Sequence, residues 1–200
     1  MNLKIIKIKA IKFVPTSFLK VHLLRYFFGF SIGKNVKIGK VIFNCKMVTI
    51  GDNVYIADNN VFSCNNLTIG ANTAIHSGNV VQGAQNFSVG RNSRIINNHF
   101  FDVWNSIYIG DNTWIAGKNS QFWTHGSIHT KQGIKDLSIA IKDDVYVGSS
   151  CLFSPGTIVD SLNLVGLGSV VSGEFNVNNC IIAGNPATVV KNNIVWRENW

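Results

Sequence analysis

Ile32-Gly33-Lys34-Asn35, Ile50-Gly51-Asp52-Asn53, Ile69-Gly70-Ala71-Asn72, Val89-Gly90-Arg91-Asn92 and Ile109-Gly110-Asp111-Asn112 are copies of one phrase. Weaker copies open between and beyond them at Ile38, Ile56, Ile75, Val81, Ile95, Ile115, Ile141, Val147, Phe153, Val159, Val165, Val171 and Val177. The beat is six residues long: an aliphatic residue, a small one, then a turn. Six fits neither the alternation of a long strand nor the 3.6-residue period of a helix, whereas very short strands joined by tight corners do fit it. The aliphatic residue points into the coil, and the small residue beside it lets the next corner pack closely. Asn three positions after the aliphatic one suits a left-handed backbone corner, which β-branched residues avoid. Three beats make one triangular turn of about 18 residues. The strong copies advance by 18, 19, 20 and 20 residues, so each opens a new coil with small bulges added. Such coils stack in parallel, bury their inward stripes on one another, and need caps at their ends. The expected fold is therefore all-β, a parallel β-helix.

Composition agrees with one solenoid domain. Hydrophobic residues make up 46% of the 200 and charged residues 14%, enough for a core and against disorder. The net charge of +8 points to an anionic ligand or surface. No RNP, zinc-finger or helix-turn-helix pattern is present, so nucleic acid is not the expected partner. Cys45, Cys64, Cys151 and Cys180 show no metal-type spacing and read as buried small hydrophobes. Cys45 and Cys64 lie one coil apart, where they would stack.

Residues 1–30 lack the repeat and carry six Lys or Arg and no acid. Lys4, Lys7, Lys9, Lys12, Lys20 and Arg25 interrupt the apolar runs, so no stretch approaches the roughly 20 residues of a membrane span. Neither the unbroken apolar core nor the cleavage site of a signal peptide is visible. Pro15 splits the segment, and Thr16-Ser17 is placed to cap a helix over Phe18 to Phe28. This segment reads as a helical cap sealing the first coil. As a basic amphipathic element it would equally serve a peripheral contact with the inner membrane face.

The beat, Trp123-Thr124-His125-Gly126, and the tail Ile182-Ala183-Gly184-Asn185-Pro186-Ala187-Thr188-Val189-Val190-Lys191 together resemble the hexapeptide-repeat acyltransferases, above all the O-acetyltransferases of sugars and bacterial surface polysaccharides. The resemblance covers residues 31–191, leaving 1–30 as cap and 192–200 as a carboxy-terminal tail. It implies a left-handed coil, a homotrimer with active sites in clefts between neighbouring helices, and acetyl-CoA as acyl donor beside the carboxy-terminal coils. It also implies a cytoplasmic enzyme.

Residues 122–138 interrupt the beat and read as a loop expelled from the solenoid, where function tends to collect. Acetyl transfer to a hydroxyl needs a base working near neutral pH, and histidine ionises near 6.5. No G-x-S-x-G nucleophile elbow is present, which suits direct transfer. His125 stands at the family's catalytic position and is the expected base, with His129 read as a substrate contact or an alternative base. Counting back from Gly110 places Asn98 where the family carries an asparagine one coil earlier, and Asn98 is expected to hold the acceptor or orient the histidine. Asp102 is read as binding a sugar hydroxyl or stabilising imidazolium, and Trp104, Phe122 and Trp123 as an apolar face for a sugar ring. His22, His76 and His99 read as surface or core residues.

For acetyl-CoA the resemblance points to Gly148, Ser149, Gly166 and Leu167, whose small corners would meet the pantetheine arm, and to Gly184, Pro186 and Lys191 in the tail. Many relatives carry Thr-Lys after the last G-x-G-S-V-V, whereas this chain has Ser172-Gly173-Glu174 and so lacks one phosphate contact. No metal is expected. The expected activity is acetyl-CoA-dependent O-acetylation of a sugar or oligosaccharide of a surface polysaccharide or its precursor. The alternatives are N-acylation of an amino sugar, a metal hydratase on the same solenoid requiring three convergent histidines, and a scaffold without catalysis.

Overall fold

The computed structural model describes residues 10–126 and 136–197. Its core is a parallel β-helix of about seven turns with three flat faces. Face A stacks Ser31–Ile32, Met47–Ile50, Asn66–Ile69, Phe87–Val89, Ile107–Ile109, Ile139–Ile141, Ile158–Val159 and Glu174–Phe175. Face B stacks Lys37–Ile38, Tyr55–Ile56, Ala74–Ile75, Arg94–Asn97, Trp114–Lys118, Tyr146–Val147, Leu164–Val165 and Ile181–Gly184, and Ala187–Lys191 closes it as an antiparallel hairpin strand. Face C stacks Ile42–Phe43, Val61–Ser63, Val80–Gly83, Phe100–Val103, Gln121–Trp123, Leu152–Phe153 and Val170–Val171.

The repeat works as its chemistry dictates. Asn35, Asn53, Asn72, Asn92 and Asn112 all adopt positive φ at the corner between faces A and B. Their amides form a ladder up the outside, each Nδ2 donating to the next Oδ1 at 3.0–3.3 Å. The small residue is obligatory at Gly70, where an added Cβ would lie 2.5 Å from the Gly90 carbonyl carbon. Two corrections concern the beat itself. Val177 belongs to no strand and is only partly buried; the inward residue of that last coil is Ile182. Face C turns inward mostly aromatic rather than aliphatic residues, with Phe43 stacked on Phe62 and Phe101, Phe122 and Phe153 in a parallel column at 4.4–4.7 Å. Phe122 is thus a fully buried core residue and offers no face to a sugar.

Inside the corner between faces B and C runs a second ladder, made of polar residues. Asn60 Oδ1 accepts the Asn79 amide, Asn79 Oδ1 accepts the His99 amide, and His99 Nδ1 accepts the Ser120 amide at 3.1 Å. Ser120 Oγ in turn accepts the Cys151 amide. These side chains satisfy backbone donors that the tight corner would otherwise bury unpaired. Burial, which penalises the charged ring, holds His99 well below its ordinary range, at about 4. An unfolded chain takes up this proton near pH 6.5 and the folded one only near 4, so stability falls as pH drops through that window. The loss reaches about 3 kcal/mol. His99→Asn continues the Asn60–Asn79 ladder without a titrating group. Its melting temperature is expected to vary less between pH 7 and 4.5 than that of the wild type; an unchanged slope in thermal denaturation would contradict this assignment.

Cys45 and Cys64 stack as their spacing predicts, with sulfurs 3.5 Å apart in the interior. The helix Ser17–Phe28 lies against the first two strands, capped at Thr16, whose side chain accepts from the Leu19 amide. The expelled loop begins later than residue 122, since Gln121–Trp123 completes face C. The tail folds back over the corner between faces A and B: Arg197 pairs with Asp144 at 3.0 Å and Trp196 donates to the Leu162 carbonyl.

Candidate active site

His125 follows directly on strand Gln121–Trp123, at the corner where face C turns toward face A. The preceding strand of that face, Phe100–Val103, pairs with it so that Asp102 lies beside Trp123. This register brings the Asp102 carboxylate under the imidazole, and His125 Nδ1 lies 2.6 Å from Asp102 Oδ2. Asp102 is buried, while the His125 side chain is 51% exposed. The same carboxylate oxygen accepts the Thr124 amide at 3.1 Å and the Thr124 hydroxyl at 3.3 Å. A buried carboxylate held by several donors is fixed in place. It therefore takes Nδ1–H from the ring and leaves the Nε2 lone pair free to accept a proton. The edge of Trp104 closes one side of His125, with ring centroids 5.9 Å apart.

Asp102 is consequently a hydrogen-bond partner of His125. Trp104, 56% exposed, lies beside the histidine and offers an apolar ring face, whereas Trp123, 40% exposed, packs on Phe100 and donates to Gln121. His129 lies outside the described residues. Asn98 is not brought to His125 within the chain. It occupies the corner between faces B and C, with φ of 58°, and packs over Gly78. Counting one coil back from Gly110 leads to that corner, whereas counting back from His125 along face C leads to Asp102 and Trp104.

Two residues that sequence reading missed complete the support. Thr124 braces Asp102 from within the core, and Asn105 clamps Thr124 by donating its amide to the Thr124 hydroxyl at 2.8 Å and its Nδ2 to the Thr124 carbonyl at 2.7 Å. Asn105 lies three residues beyond Asp102, so the coil spacing that links Asp102 to His125 would have located it. Asn105→Ala slackens the peptide that carries His125. Its kcat is expected to fall about tenfold with KM for acetyl-CoA unchanged, because ångström-scale misplacement of a base is enough for such a loss. Steady-state kinetics check this, and an unaltered kcat would refute the clamp.

The residues expected to meet acetyl-CoA gather mostly at the other edge of face C. Gly148, Ser149, Gly166 and Leu167 all lie at the corner between faces B and C, and the hairpin turn Gly184-Asn185-Pro186 continues the same edge. The amides of Gly148 and Gly166 are already donated to the Val165 and Ile182 carbonyls of the next coil. Those of Ser149 and Leu167 enter no such bond among the described residues. Leu167 itself is 81% exposed. This edge thus offers two unengaged donors, small residues and an apolar side chain, which fits a narrow pantetheine arm. Lys191 pairs opposite Ile181 at the far end of the hairpin, away from this corner. Among the described residues no three His, Cys, Asp or Glu side chains gather as a metal site.

No protein-family model matches the chain. It is similar to the galactoside O-acetyltransferase of Escherichia coli K12, with 26% identity over 182 residues, 89% of this chain and 80% of that one. A hexapeptide transferase family protein from Anaplasma phagocytophilum has the same fold, with a TM-score of 0.50 at 17% identity over 81% of this chain and 78% of that one. So does a serine mutant of AntD, an N-acyltransferase from Bacillus cereus solved with dTDP-4-amino-4,6-dideoxyglucose and coenzyme A. Its TM-score is 0.50 at 19% identity, over 86% of this chain and 88% of that one. The solenoid is therefore left-handed. Repeat and fold are thus those of the hexapeptide-repeat solenoids, and in sequence the chain is similar to a galactoside O-acetyltransferase.

Proposed function

We propose that the protein is a cytoplasmic acetyl-CoA-dependent O-acetyltransferase acting on a hydroxyl of a sugar in a surface polysaccharide or its precursor. The observation that carries this reading is the His125–Asp102 pair, a half-exposed imidazole whose Nδ1 is held by a buried carboxylate. His125 Nε2 takes the proton of the sugar hydroxyl as its oxygen bonds to the thioester carbonyl carbon. The C–S bond then breaks, and the imidazolium returns the proton to the departing thiolate. Asp102 stabilises the imidazolium between these events. The amides of Ser149 and Leu167 are the candidate donors to the oxyanion. The similarity to a galactoside O-acetyltransferase favours a hydroxyl acceptor over an amine.

The base and these donors flank opposite edges of face C, about 17 Å apart along the five residue steps from Asn119 to Thr124. A closed threefold ring joins one edge of each copy to the other edge of its neighbour. The outward stripe of face C suits such packing: Ile42, Val61, Val80, Phe100, Leu152 and Val170 are in register up the solenoid and partly exposed, with Gln121 the one polar member. We therefore read the enzyme as a homotrimer through face C, with Asn98 of one copy facing His125 of the next. The test is release of coenzyme A thiol with galactosides as acceptors, alongside light scattering. Acceptor-dependent thiol release by a species of three 22.0 kDa chains is expected. Leu152→Glu should dissociate the trimer and abolish turnover together; a monomer that turns over normally would sink this arrangement.

A further inference from the structure

Charge is segregated along the solenoid. The first 51 residues contain ten Lys or Arg and no acid, whereas the remaining 149 contain eight Lys or Arg against ten Asp or Glu. The whole positive excess of the protein therefore sits at the cap and first coil. Over the described residues this same end carries the most exposed aromatic side chains: Phe13 at 69%, Phe18 at 75% and Tyr26 at 83%.

The geometry of the helix Ser17–Phe28 explains why they are outside. Val21 and Leu24 are buried against the coil, Lys20 Nζ donates to the Ile38 and Gly39 carbonyls, and Ser17 Oγ exchanges hydrogen bonds with the Ile38 backbone. With that face pinned, Phe18, Leu19 and Tyr26 are directed away from the solenoid. The outward side of the helix thus carries large apolar residues beside His22 and Arg25, and nothing among the described residues covers it. Beside it lies a cleft of about 620 Å³ lined by Phe18, Val21, His22, Arg25, Lys34 and Lys37 among others. Arg25 is engaged with the Ile32 and Gly33 carbonyls, while Lys34 and Lys37 are exposed and enter none of the ion pairs among the described residues.

We propose that this cap is an interfacial docking surface for an anionic lipid bilayer, with Phe13, Phe18 and Tyr26 entering the acyl boundary and Lys34 and Lys37 meeting headgroup phosphates. Aromatic side chains beside exposed lysines are the combination that binds such an interface. Twelve residues span only about 18 Å as a helix, too short to cross, so the helix lies in the surface plane. A second copy is disfavoured as the occupant, because it would oppose ten cations with ten more and no acid. His125 lies four coils above the first coil, about 19 Å from it at one strand spacing per coil, with the cap helix below. Transfer would then take place close above the membrane, within reach of a glycan held on a lipid.

The docking surface is independent of the acetyl-transfer reading. Its test is flotation of the full chain with vesicles of phosphatidylcholine alone or mixed equally with phosphatidylglycerol. Binding to the mixed vesicles at least tenfold tighter than to phosphatidylcholine is expected, weakening as salt is raised. The Phe18→Ser/Tyr26→Ser and Lys34→Ala/Lys37→Ala variants should each lose tenfold or more of that binding, while keeping the wild-type melting temperature and turnover of a soluble acceptor. Failure of the wild type to bind mixed vesicles, equal binding to both vesicles, or variants that bind as the wild type would each overturn the proposal. Soluble-acceptor turnover would stand in every one of those cases.

Discussion

His125→Ala is expected to lower kcat for acetyl transfer to a sugar hydroxyl by about 10²–10⁴-fold, the range that a positioned general base supplies. An alcohol is a poor nucleophile at neutral pH, and the solenoid near the site offers no alternative imidazole among the described residues. His99 is buried one coil away at another corner, with its Nδ1 occupied by Ser120. The His125 side chain is half exposed, and Asp102 keeps its Thr124 donors without it, so the variant should melt close to the wild type. Its KM for acetyl-CoA should stay within a few-fold, since the pantetheine corner is formed by other residues. Transfer at an undiminished rate would move the base elsewhere, and His129 would be the next residue to replace.

Asp102→Asn should cost about 10²–10³-fold in kcat at nearly constant volume. The aspartate does two things that an amide cannot do together. It accepts Nδ1–H while also accepting from Thr124, which fixes the tautomer, and its charge stabilises the imidazolium as the proton moves. Asparagine can keep one acceptor but supplies no charge, and in one of its two orientations it presents N–H groups to the ring. The loss should appear in kcat and not in KM for either substrate. The variant to avoid is Asp102→Ala, which leaves the buried Thr124 amide without an acceptor and confuses stability with chemistry. A wild-type kcat in Asp102→Asn would mean that the 2.6 Å contact orients nothing that matters.

The fold was legible because a solenoid writes its structure in the sequence once per coil. Each Ile-Gly-x-Asn phrase is one inward side chain, one close approach between coils and one left-handed corner, and the copies reinforce each other. What escaped reading did so for physical reasons. Phe122 occupies an inward beat like Ile115 or Val147, but an aromatic residue near the candidate histidine also reads as a substrate platform, and only the column of stacked rings decides the matter. Thr124 and Asn105 act through hydrogen bonds between coils about 20 residues apart, which no local motif records. Asn98 shows the limit from the other side. Its spacing suits a partner of His125, yet a single β-helix holds the two at opposite edges of one face. Sequence distance modulo the coil length gives the edge on which a residue lies, and a site assembled between copies takes residues from both.

The most direct measurement of the central claim is the identity of the product. Wild-type protein would be incubated with acetyl-CoA carrying a ¹³C-labelled carbonyl and a galactoside, together with an amino sugar as competitor, and the product read by ¹³C NMR. An ester carbonyl resonance on the galactoside, growing in step with free coenzyme A and absent with His125→Ala, is the result that direct O-acetyl transfer by the His125–Asp102 pair predicts. Label appearing only as an amide on the amino sugar, or an ester that forms equally fast without His125, would contradict it.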